Sequence, residues 1–233
     1  LPVTQSSDKF KKGEVGSPYS VKDFFKIEKS YHDTLLGNKF SSDQEFAAFV
    51  EAAHMAGMRV MLDFVPRTAA RDNNLILDHP DWFYWISIDE MNDFAPPKVK
   101  ELGFVQPSKD NLEVIYNNEE VKRHLKKFDW DPKTKNPVKW ENFVRKNRDN
   151  PNFLDEIAKE FKVVTVPGFS DWVNDPQPAW EDVTFLRLYL SHPKEALKYI
   201  DEKNQPPYVL FDVVKSSLFP GEVKNEQLWN VIA

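Results

Sequence analysis

The feature that most constrains the fold is a helix that runs into an apolar strand through a single glycine. Ser42-Asp43-Gln44-Glu45 has the spacing of a capping box, in which a serine oxygen and a glutamate side chain satisfy each other's helix-start donors, so a helix is predicted from about residue 42. Phe46, Phe49, Val50 and Ala53 follow at i, i+3, i+4 and i+7 as one stripe, and Gly57 stands where a left-handed cap ends a helix near Ala56. Val60-Met61-Leu62-Asp63-Phe64-Val65 is then a nearly unbroken apolar run, the pattern of a parallel strand buried on both faces. A helix feeding such a strand is half of a repeating βα unit, so the predicted class is α/β.

Upstream, Leu1-Pro2-Val3 reads as the tail of another strand, and Thr4 to Lys39 as a long polar loop. Downstream, residues 67–220 pass without another strong βα repeat, too long for a loop, which implies an inserted domain. Within it the spacing predicts helices near Glu119 to Phe128, Lys139 to Arg148, Phe153 to Phe161 and Pro193 to Lys203, and a short strand at Val163 to Val166. Val223 to Ala233 reads as the start of a helix with Leu228, Val231 and Ile232 on one face, broken off in mid-stride.

Composition removes several functional classes. Lys plus Arg number 31 against 37 Asp plus Glu, a net charge of −6, which argues against a nucleic-acid partner. The basic stretch Val121 to Lys127 is one helix face in an acidic protein, expected to be solvated. There is no cysteine, so no disulfide, thiolate metal site or cysteine nucleophile can form. The five histidines lie far apart and make no metal-binding pair, and the seven glycines form no phosphate-cradling motif. No apolar run approaches the roughly 18 residues that span a bilayer, so no membrane partner is expected. Aromatic residues reach 14%, including seven Trp, which suits either stacking on sugar-like ligands or simple core filling.

Chemistry is expected where a buried parallel strand ends, because βα-barrel enzymes collect site residues there. Asp63 and Arg67 qualify, although the two could equally pair with each other or cap loop amides. Tyr19 and Asp23, in the preceding loop, would open onto the same face.

Three blocks, Gly16 to Phe25, Glu45 to Gly57 and Arg59 to Thr68, resemble in order and spacing the second-loop, second-helix and third-strand stretch of the alpha-amylase family. The family pattern Asp-x-Val-x-Asn-His reads here Asp63-Phe64-Val65-Pro66-Arg67-Thr68, so Asp and Val match while Asn and His do not. Within the family, Pro66 to Asp72 and Asn174 to Trp180 look most like bacterial maltosyltransferases. The resemblance implies a partial (β/α)8 barrel over the second to third βα units: residues 1–66 barrel, 67–220 an inserted domain B of mixed and irregular structure, and 221–233 the start of the third barrel helix. Such a piece alone leaves open sheet edges and half a core, and is not expected to unfold cooperatively.

By the same resemblance, Tyr19 matches the aromatic that stacks on the sugar where the bond is cut, with Asp23 matching an aspartate four positions on. Asp63 matches a supporting aspartate, and Thr68 replaces a histidine that donates to a sugar hydroxyl. Arg67 and Ala179 replace two expected calcium ligands, so no calcium or other cofactor is expected; arginine brings a fixed cation instead. Trp180, with Trp172 and Phe169, would form an aromatic wall that excludes water, or would pack domain B on the barrel. The catalytic nucleophile and acid/base are expected downstream of this chain, so no catalytic residue is named in it; Asp171 and Asp175 are a remote alternative pair. The implied activity is maltosyl transfer between α-1,4-glucans by retaining double displacement, with the rest of the barrel as partner and maltodextrin as substrate. An amylase-type hydrolase and a non-catalytic carbohydrate-binding module are the alternatives. A cytoplasmic location is expected, and a homo-oligomer stays open.

Overall fold

Short strands that find partners far away in sequence organise this chain. The computed structural model describes residues 2–14, 16–95, 97–98, 100, 114, 117–168, 180–188, 190, 192–195 and 224–232. The first strand, β1 (Thr4–Ser6), pairs antiparallel with β2 (Val21–Ile27). Part of the stretch expected as a structureless loop is therefore a hairpin. The Val-Lys-Asp-Phe-Phe-Lys-Ile sequence of β2 lacks strict alternation, which hid it from a period-2 reading.

Helix α1 (Ser42–Met55) forms where the spacing predicts it, and Gly57 takes a φ of +74° just beyond its end. Its cap lies one residue earlier than expected. Ser41 accepts from the Gln44 amide, and the Gln44 side chain accepts from the Ser41 amide, so the box is Ser41/Gln44. Glu45 is thereby free to fasten the preceding loop, and its carboxylate holds His32 Nδ1 at 2.7 Å and accepts from the Asp33 amide.

The apolar run from Val60 to Val65 is not a strand in the structure. A strand is defined by the neighbour that takes up its backbone groups, and no described segment pairs with this one. Met61 is 95% exposed, and Leu62 and Phe64 are also exposed. The next paired segment is instead β3 (Thr68–Ala70), antiparallel to a strand far along the chain, β7 (Val183–Phe185). All pairings among the described strands are antiparallel, and the expected parallel barrel portion is not among the described elements. The mixed helix and strand content of the α/β expectation is present.

Between β3 and β7 lies the core. β4 (Trp85–Ser87) is the centre of a three-stranded sheet flanked by β5 (Phe128–Asp129) and β6 (Val163–Thr165). Around it pack α2 (Glu119–Lys127), the short α3 (Pro132–Lys135), α4 (Pro137–Asn147) and α5 (Phe153–Phe161). Asn118, Asp131 and Asn136 cap α2, α3 and α4, and prolines open α3 and α4, so each start is specified locally. The helices predicted near 119–128, 139–148 and 153–161 and the strand near 163–166 form within two residues of those bounds. The helix predicted from Pro193 is helical over 193–195, and its remainder lies outside the described residues.

Trp82, Phe83, Trp85, Phe128, Phe143, Phe153 and Ile157 are almost wholly buried in one cluster, joined by Leu228 of α6 (Glu226–Ile232). Val231, expected on the same apolar face, is exposed. Burying side chains of this size is worth about 1.5–3 kcal/mol each. By contrast, among the described residues of the stretch 2–65 only Val21 and Ala53 join the buried hydrophobics, while Phe25, Leu35, Phe40, Phe49, Met55 and Met58 are exposed. The core thus belongs to the region expected as an insert, while the region expected as barrel turns apolar side chains outward.

Candidate functional site

Tyr19, the adjacent pair Arg67 and Thr68, and Trp180 come from three separate stretches and meet around one depression of about 440 Å³. Lys12, Ser17, Val65, Asp182 and Val183 complete the wall. Tyr19 sits in a tight turn in which the Ser20 amide donates to the Ser17 carbonyl and the Ser17 hydroxyl accepts from the Tyr19 amide. Ser20 Oγ, 2.8 Å from the Asp182 carbonyl, ties this turn to the segment that leads into β7.

The Tyr19 hydroxyl donates to Asp63 Oδ2 at 3.0 Å. That hydrogen bond and the charge of Asp63 raise the Tyr19 pKa above its ordinary value, because ionising the phenol would set an anion against a carboxylate. Asp63 does not itself line the depression, but it fixes the tilt of the ring that does. Arg67 immediately precedes β3: its carbonyl accepts from the Leu186 amide and its guanidinium lies 5.2 Å from the centre of the Phe185 ring. Thr68 follows, buried and opposite Phe185 in the β3–β7 pair.

Trp180 is held by an antiparallel bridge to Gly168 and is 41% exposed, presenting its ring to solvent with the Lys12 ammonium 5.6 Å from its centre. Gly168 is required at this crossing, since a Cβ there would come within 2.8 Å of Val183 Cγ2. Asp23 stands apart from the depression. Its carboxylate accepts from the Phe25 amide and from Asn74 Nδ2, both at 2.9 Å, which is the work of a turn and a tether.

Lys12, Asp182 and Val183 carried no sequence signal that marked them, while Ser17 and Val65 lay within the matching blocks without being singled out as site residues. Lys12 is one of several lysines in a polar stretch, and Asp182 is recognisable only once β7 brings it beside the Tyr19 turn. Phe169, Asp171, Trp172, Asp175 and Ala179 lie outside the described residues. Among the described residues no group of three or more His, Asp or Glu side chains could hold a metal ion, and no helix is long and apolar enough to cross a membrane. Chemically the depression is lined by two aromatic residues, two cations and the hydroxyl residues Ser17 and Thr68, a set suited to a ligand with apolar faces and polar edges.

Sequence comparisons support an alpha-amylase-family relationship for part of the chain. The match is to alpha-1,4-glucan:maltose-1-phosphate maltosyltransferase of Cereibacter sphaeroides, 37% identical over 70 residues, or 30% of this chain and 11% of the relative. A second sequence of that name from the same organism is 36% identical over 70 residues, or 10% of its length. The aligned stretch thus spans about a tenth of these curated relatives. No family model matches the chain. Among solved structures, an alpha-amylase from Lactobacillus plantarum overlays 54% of this chain and 26% of its own, with 28% identity and a TM-score of 0.30. The noncanonic maltogenic alpha-amylase AmyB from Thermotoga neapolitana overlays 76% of this chain and 30% of its own, with 24% identity and a TM-score of 0.29. Overlays at these scores do not fix a shared fold.

Proposed function

We propose that this chain supplies the substrate-facing wall of a maltosyltransferase of the alpha-amylase family, with residues 1–66 belonging to a (β/α)8 barrel, 67–220 forming domain B and 221–233 beginning the third barrel helix. The observation that carries the reading is the meeting of Tyr19, Arg67, Thr68 and Trp180 around one depression, with Tyr19 bonded to Asp63. Within this reading, the exposed Met61, Leu62 and Phe64 are the side chains that the remainder of the barrel covers.

Each residue then has a physical role. Tyr19 offers its ring to the apolar face of a glucose unit, and Asp63 holds the ring's tilt through the hydroxyl. Arg67 supplies a permanent cation where calcium would otherwise neutralise charge, so the enzyme works without calcium. Thr68, shorter than the histidine it replaces, leaves room rather than a contact. Trp180 walls the site against water, which favours a sugar hydroxyl as acceptor when the covalent glycosyl intermediate is resolved. The nucleophile and acid/base lie outside this chain. The partners are an α-1,4-glucan and the remainder of the barrel, and the setting is cytoplasmic.

The test is a product analysis of the enzyme that carries this chain, given maltoheptaose alone, with chain lengths resolved and reducing ends counted. A ladder spaced by two glucose units at constant reducing ends supports maltosyl transfer. A steady rise in reducing ends with shortening chains makes it a hydrolase, and no change at all makes it a binding module.

A further inference from the structure

The depression depends on two segments that no sheet joins. Tyr19 precedes β2, which pairs with β1, whereas Arg67 precedes and Thr68 opens β3, which pairs with β7. The two strands lie side by side but belong to different sheets, so backbone pairing does not set the distance between them. Side chains do. Three successive residues of β2 are each tied to one of three successive residues in the turn after β3. Asn73 Nδ2 donates to the Val21 carbonyl at 2.8 Å, Lys22 Nζ lies 3.1 Å from Asp72 Oδ2 and 2.5 Å from the Asp72 carbonyl, and Asn74 Nδ2 donates to Asp23 Oδ2 at 2.9 Å.

The middle rung is buried. Asp72 and Asn73 are 4% and 0% exposed, and the Lys22 ammonium sits 4.6 Å from the centre of the Phe153 ring. Among the described residues Asp72 Oδ1 has no hydrogen-bond partner, so this carboxylate has given up water on one side and relies on Lys22 on the other. A surface ion pair is worth little and can slide; a desolvated one with fixed partners is costly to break and holds a single geometry.

We propose that the Lys22–Asp72 pair, flanked by the Asn73 and Asn74 rungs, is a positioning clasp that sets the Tyr19 turn against the Arg67–Thr68 strand start and so maintains the Tyr19–Asp63 contact. Neither Lys22 nor Asp72 lines the depression. The clasp acts through Tyr19, and its relevance to a glucan substrate rests on the maltosyltransferase proposal. It also gives Asp23 a place: its carboxylate is the last rung rather than a ligand-facing group.

The test uses the ionisation of the Tyr19 phenol, which reports directly on its distance from Asp63 and needs no substrate. With the tyrosine rings carbon-13 labelled, the Tyr19 signal is identified by its loss in Tyr19→Phe and titrated in wild type, Lys22→Met and Lys22→Arg. Methionine keeps the apolar stem over Phe153 and removes the charge. The expected result is a Tyr19 midpoint above the ordinary tyrosine value in wild type, a return toward that ordinary value in Lys22→Met, and recovery in Lys22→Arg. Asn74→Ala removes an exposed rung without touching the buried pair; should Lys22→Met fail to fold, a downward shift in Asn74→Ala carries the test. An unchanged Tyr19 midpoint in the folded variants overturns the clasp. Maltoheptaose binding by wild type, followed in the same samples, reports separately on the glucan-site proposal and has no bearing on whether the clasp exists.

Discussion

Lowering the pH from 7 to 5 should cost this protein several kcal/mol, and a good part of the loss should trace to His192. The ring is buried at 3% exposure and stacks on Trp130 at 3.9 Å. Its Nδ1 accepts from the Lys194 amide at 3.2 Å, and its Nε2 lies 3.1 Å from the Asp129 carbonyl. That pair of neighbours assigns the neutral tautomer with its proton on Nε2, so a second proton would have to enter at Nδ1, against an N–H group. Burial first, then the nearby Arg187 and Lys194 cations, hold the pKa down to about 4 from an ordinary 6.5, despite the Asp129 carbonyl, which raises it. Because the folded pKa is depressed, the unfolded chain takes the proton first as pH falls. The stability linked to this group is complete above about pH 6.5 and is lost between there and about pH 4. At about 1.4 kcal/mol per unit, the loss is about 2 kcal/mol by pH 5 and about 3 kcal/mol once both states are protonated. Urea unfolding followed by tryptophan fluorescence at half-unit steps from pH 7 to 4.5 measures it. His192→Gln removes the titration, whatever it costs at pH 7, so the wild-type stability should fall more steeply than the variant's by about 1.4 kcal/mol per unit near pH 5. Equal slopes would refute the assignment of a buried neutral ring.

His124, buried beside Phe94 and Phe128 and pushed by burial and then Lys127 down to about 3, should add an acid loss of the same sign, readable as a second difference in slope in His124→Phe. Phe143→Ala opens a cavity among Trp140 and Phe161 and should lower stability by about 3–5 kcal/mol, measured by the same urea titration. Gly168→Ala drives a Cβ against Val183 at the crossing that holds Trp180, and should cost about 1–3 kcal/mol while broadening or shifting the Trp180 emission. If the proposed maltosyltransferase reading holds and Arg67 stands in for calcium, exhaustive chelation should leave both the melting temperature and the activity toward maltoheptaose unchanged. A drop restored by added calcium would contradict that role.

Helices were legible in the sequence wherever their information is local. Gly57 ends α1 where its position implied, and α2, α4 and α5 form within two residues of their predicted bounds, because a helix satisfies its backbone within a few residues of itself. Absent cysteine was equally decisive, since chemistry that needs a thiol cannot be improvised by folding. Tyr19, Asp63, Arg67, Thr68 and Trp180 could each be singled out as residues, but not their arrangement. Only the tertiary structure decided that β3, three residues long, would pair with β7, that Val60 to Val65 would not be a strand among the described residues, that Asp23 would tether a turn, and that Lys12 and Asp182 would reach the same depression. The reason is physical: a strand and a pocket wall are completed by partners distant in sequence, and two or three residues carry too short a period to announce which partner they will meet.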